Sequence, residues 1–181
     1  LFSSHAHRGI VMSAEIMEPA IEMFRNGDLK GAVEKLETLA KENKEIAMVH
    51  HTYAEFANML NTEEQDDIVP GTKIMMSYKK AMELDEENDE YIADFAGFAL
   101  ECRRIPVAVK EFQRYSTRLK MADIPVDDVL YNAARNIVDT IEVIDPEKKN
   151  PMVQPWIKQA LEWAVGGLGY EVDAAIEILK E

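Results

Sequence analysis

One cysteine, Cys102, stands in 181 residues, so no disulfide can form within the chain. A reducing, cytoplasmic location is the expectation that follows. Glycine and proline are also scarce, at eight and seven, and they cluster between helical stretches. No apolar run approaches the ~20 residues of a membrane span, so no membrane insertion is expected. Leu1 to Arg8 lack a basic stretch followed by an apolar core, and a secretory leader is not expected there. No segment has the strict alternation or β-branched density of a strand. Basic residues are outnumbered as well. There are 20 Lys and Arg against 34 Asp and Glu, a formal net charge of −14. That balance argues against nucleic acid and anionic lipid as partners. It favours basic partners at low salt.

What is present suits helices: Ala, Leu, Met, Glu and Lys in a chain that is 47% hydrophobic. Met17, Ala20, Ile21 and Phe24 fall at helical spacing, with Ser13 as a candidate N-cap. Pro19 implies either a kink or a start near Glu18. Asn26-Gly27-Asp28 ends that helix, and Asp28 caps the next, Leu29 to Glu42. A third helix is expected from Ile46 to Leu60. The polar, acidic stretch Asn61 to Pro70 then interrupts, and helix resumes near Gly71 or Thr72 and runs to Leu84. Asp89 is the expected cap of a helix ending near Arg103. Pro106 opens one running to Leu119. Beyond Pro125, a long helix is expected over Asp127 to Ile144. A breaker follows at Asp145 to Pro151. Another helix begins at Met152 or Gln154 and stops at Gly166-Gly167-Leu168-Gly169. A short last helix is expected over Tyr170 to Leu179.

These helices recur as pairs. Three copies align: 13–46, 47–88 with an insertion at 62–69, and 89–122. The first and third are equal in length. A small residue recurs in the first helix of each pair, at Ala20, Ala54 and Ala96, followed by Met23, Ala57 and Ala99. The second helices align Ala32, Ile74 and Ala108, then Leu36, Tyr78 and Phe112, then Leu39, Ala81 and Tyr115. Small side chains let antiparallel helices approach to ~8–10 Å while large ones fill the gap to the next. On these residues the chain resembles a tetratricopeptide-repeat (TPR) protein with three repeats and a divergent C-terminal helical segment. Pro19 departs from the pattern, as do Lys44, Glu86 and Lys120, which stand where a repeat closes on proline. The resemblance implies an all-α, right-handed solenoid of antiparallel helix pairs, about nine helices in one domain. Residues 1–12 form an extension open to disorder, and 123–181 a degenerate helix pair with a capping helix.

The resemblance also implies a non-catalytic interaction module, an adaptor, scaffold or assembly factor whose first helices line a concave groove. The register then selects the groove residues. They are Ala14, Met17, Glu18, Ile21, Phe24 and Arg25 in the first copy. The second copy adds Met48, His51, Thr52, Glu55, Asn58 and Met59, and the third Glu90, Ala93, Asp94, Gly97, Leu100 and Glu101. Methionine suits an adaptable surface. Carboxylates around an apolar groove suit a basic or amphipathic peptide or helix. Self-association as a homo-oligomer stays open. One use of the resembled family, clamping a peptide's terminal carboxylate with basic residues, is excluded by Met17, Ile21, Glu90 and Asp94. An acidic secretion-type chaperone is an alternative within the same class.

Chemistry-bearing constellations are sparse. His51 and Glu55 lie one helical turn apart and make half a metal site. They carry the alternative of a helical metal-binding protein or enzyme. The bland reading is a surface His–Glu pair, and no metal or cofactor is expected. Cys102 beside Arg103 and Arg104 reads as an inert thiol rather than a nucleophile. Gly166-Gly167-Leu168-Gly169 lacks the Lys-Ser/Thr of a phosphate loop. Trp156, Trp163 and Tyr170 read as core.

Overall fold

A computed structural model describes residues 3–125, 128–147 and 149–168. Among the described residues there are eight helices and no strand. They are α1 (Ser3–Arg25), α2 (Leu29–Glu42), α3 (Ala47–Glu64), α4 (Gly71–Leu84), α5 (Asp89–Glu101), α6 (Ile105–Met121), α7 (Asp128–Ile144) and α8 (Gln154–Leu168). The helix expected over residues 170–179 lies outside the described residues. The chain divides into two compact units, Leu1–Tyr91 and Ile92–Glu181. α5 begins in the first and continues in the second.

In the first unit, α1 packs on α2, α2 on α3 and α3 on α4. α2 shows how local chemistry sets such an element. Asp28 ends its N-terminus by accepting the Gly31 amide at 2.8 Å, which satisfies one of the orphan donors of a helix start. Gly31 leaves room for that contact, since a Cβ there would fall 2.1 Å from the Asp28 carboxylate. The stripe Ala32, Val33, Leu36, Leu39 and Ala40 is buried and faces the neighbouring helices. Ala20, Ala54, Ala57, Ile74 and Ala81 are likewise fully buried, as close helix approach requires. Met23 departs from its slot, because it is exposed.

Several boundaries differ from expectation. α1 starts at Ser3 rather than Ser13 and runs through Pro19. Proline removes one intrahelical donor, which the turns on either side tolerate. α3 continues four residues past Leu60 and absorbs the start of the acidic insertion as a further helical turn. The rest of the insertion is pinned by Asn61. Its side-chain amide donates to the Val69 carbonyl at 2.7 Å and accepts the Val69 amide at 2.9 Å. That clamp lets Val69 bury its side chain while Asp66, Asp67 and Ile68 stay exposed. At α5 the capping residue is Asn88 rather than Asp89, its carboxamide oxygen accepting the Glu90 amide at 3.1 Å.

The turns repeat as well. Gly27 and Arg103 hold the same place in the copies that begin at Ser13 and Asp89. Both have positive φ, at 85° and 57°. Both turns carry the same pair of bonds. Gly27 N–H donates to Phe24 C=O and Asp28 N–H to Met23 C=O; Arg103 N–H donates to Leu100 C=O and Arg104 N–H to Ala99 C=O. This is the left-handed cap that closes a helix by satisfying its last carbonyls. The connections after α2 and α4 match too, with Ile46 N–H donating to Asn43 C=O and Asn88 N–H to Asp85 C=O.

In the second unit, α6, α7 and α8 pack together. Leu130, Ala134, Ile137 and Ile141 form the buried stripe of α7. Phe112 on α6 meets Trp163 on α8 edge to face at 6.0 Å, a favoured aromatic geometry. The breaker at Asp145 is organised by its own carboxylate, which accepts the Asn150 amide at 2.9 Å. α8 does not stop at Gly166 but continues to Leu168. No helix among the described residues is long and apolar enough to cross a membrane.

Candidate functional site

The second unit holds an open groove of about 450 Å³. Helix α5 contributes Gly97, Leu100 and Glu101 to its lining, with Arg103 just beyond the helix end. Helix α7 contributes Asn136, Asp139, Thr140 and Val143. Each set follows the three-and-four spacing that brings side chains onto one helix face. Both faces belong to the C-terminal halves of their helices, so the negative ends of two helix dipoles lie at this groove. Leu100 is buried in the groove wall, whereas Glu101, Asp139 and Val143 are exposed. The Thr140 hydroxyl donates to the Asn136 carbonyl at 2.6 Å, so it is spent on its own helix. Gly97 opens the groove: a Cβ added there would meet nothing within 4 Å.

The sequence register had selected Gly97, Leu100 and Glu101. It missed the α7 face, since residues 123–181 align with no copy of the repeat. The signal was nonetheless present, because Asn136, Asp139, Thr140 and Val143 stand opposite the buried stripe of Ala134, Ile137 and Ile141.

The selected residues of the first unit fare unevenly. Met17 and His51 are 5% and 6% exposed, so neither is the outward-facing contact the register suggested. Glu18 and Glu55 are exposed, as are Phe24 and Met59, while Ile21, Met48 and Asn58 are half-buried. Glu18 pairs with Arg25 at 2.8 Å, and the Phe24 ring lies 4.9 Å from that of Phe56. Of the other selected residues on α5, Glu90 is exposed and Asp94 half-buried.

His51 is therefore not one half of a surface pair. Its ring lies 4.6 Å from the Tyr91 ring and 5.6 Å, edge-on, from the Tyr78 ring. Its Nδ1 stands 3.5 Å from a carboxylate oxygen of Glu55. Its neighbour His50 faces elsewhere, with Nε2 3.1 Å from the Lys44 carbonyl oxygen. Burial pushes the His50 pKa below the ordinary imidazole range.

A second charged cluster joins α2, α3 and α4. Glu37 accepts from Lys41 on its own helix and from Lys73 on α4, the latter at 2.9 Å. The Lys73 ammonium lies 5.9 Å from the centre of the Tyr53 ring. The bond from Lys41, then that from Lys73, holds the Glu37 carboxyl below its ordinary range. Burial pushes Tyr53 up. Nothing in the sequence register marked this cluster, because its members sit in three different helices.

No protein-family model matches the chain, and a search of curated proteins finds no significant match. The α5–α7 groove therefore stands on its own geometry.

Proposed function

We propose that the chain is a non-catalytic interaction module, an adaptor, scaffold or assembly factor that holds a basic or amphipathic segment of a partner in the α5–α7 groove. The observation that carries this reading is the groove's composition. The α5 residues picked out by the repeat register, Gly97, Leu100 and Glu101, face a matching α7 stripe across an open space of about 450 Å³. A TPR-type right-handed solenoid is the architecture this reading implies. The matching turns at Gly27 and Arg103, and at Asn43 and Asp85, support a repeated helical pair. The net charge of −14 supports a basic partner through long-range steering.

The test is selection from a random peptide library on the immobilised full chain at low salt, run in parallel on Gly97→Leu. The substitution fills the groove and favours helix, and the added Cβ meets nothing, so the fold survives it. Enriched peptides that bind the wild-type chain and not Gly97→Leu are the expected result. Peptides that bind both equally overturn the groove as the site.

A further inference from the structure

We draw no further inference here: the strongest candidate, the side-chain cluster of buried His51 and exposed Glu55 one turn apart on α3, carries no metal site, because no third ligating side chain of the first unit joins it among the described residues and a metal centre of this kind takes three or four protein ligands.

Discussion

Lys73 on α4 reaches Glu37 on α2 at 2.9 Å, joining two helices that each pack on α3. Its ammonium also lies 5.9 Å from the centre of the Tyr53 ring on that middle helix. Glu37 gathers a second cation from Lys41, at i+4 on its own helix. The cluster thus ties three helices through one carboxylate.

Its pH dependence follows from the direction of the shift. The Glu37 pKa is lowered in the fold, first by Lys41 and then by Lys73. Its contribution is therefore fully present above the ordinary carboxylate value of ~4.3 and is lost as pH falls through the lower folded value. Both partners are partly exposed, so the pair contributes ~0.2–1 kcal/mol. Lys73→Met should cost that much by urea denaturation at pH 7, and most of the difference should vanish below pH ~3. An equal cost at both pH values would show that Lys73 acts through packing and not through Glu37.

Tyr53 gives a prediction of opposite sign. The residue is 2% exposed, and its buried hydroxyl has only the Lys73 ammonium beside it, in poor hydrogen-bond geometry. A poorly satisfied buried hydroxyl carries a desolvation penalty of up to ~1–3 kcal/mol. Tyr53→Phe keeps the ring under Lys73 and removes the penalty, so thermal stability at pH 7 should rise. Because burial raises the Tyr53 pKa, the folded state holds its phenolic proton more tightly than the unfolded state. Stability in the wild type therefore falls as pH rises above ~10, and Tyr53→Phe should lessen that alkaline loss. A drop in melting temperature at neutral pH would show instead that the hydroxyl is bonded.

Much of the helical layout was legible because its signals are local. Asp28 and the stripe from Ala32 to Ala40 set α2 at both ends, and Pro106 marked the opening of α6. The small residues Ala20, Ala54 and Ala96 were legible as close-approach positions, and each is fully buried. What escaped depends on partners distant in sequence. Met17 and His51 sit on helix faces that period alone assigns to the groove, yet both are buried. A helix with a neighbour on each side buries a wider arc than a single apolar stripe implies. The α7 face of the groove was hidden for another reason, since a register carried from three repeats does not reach a segment that breaks the pattern. The continuation of α3 beyond Leu60 depends on Asn61 clamping Val69, a side-chain contact with no periodic signature.

The left-handed residues that close helices offer stabilising substitutions. Gln65, Arg103 and Asp123 have φ of 51°, 57° and 56°, a region that costs a side-chain-bearing residue ~1 kcal/mol or more. Gly27 occupies the corresponding turn after α1 with no such cost. Gln65→Gly and Asp123→Gly should each stabilise by ~0.5–1 kcal/mol, reduced by the extra freedom of glycine in the unfolded chain. Gly27→Ala should destabilise by ~1 kcal/mol. Denaturant midpoints check all three. A destabilising Gln65→Gly would mean that the glutamine side chain holds the insertion in place more strongly than its backbone strains it.

His51 separates the interaction reading from the metal reading. Its ring is packed near Tyr78 and Tyr91, and its Nδ1 lies 3.5 Å from Glu55. If packing is its role, His51→Phe preserves the aromatic contacts and should cost less than His51→Ala, its larger ring adding no more than the ~1–3 kcal/mol of an overpacked core. His51→Ala should cost ~2–4 kcal/mol, the range for deleting a buried ring or large side chain. Glu55→Gln should leave stability within ~0.5 kcal/mol, since Glu55 is exposed. Elemental analysis of the purified chain supplies the opposing outcome. Stoichiometric metal that is lost in both His51→Phe and Glu55→Gln, with a fall in melting temperature on chelation, would make the pair ligands, because a bound ion stabilises only the state that holds it.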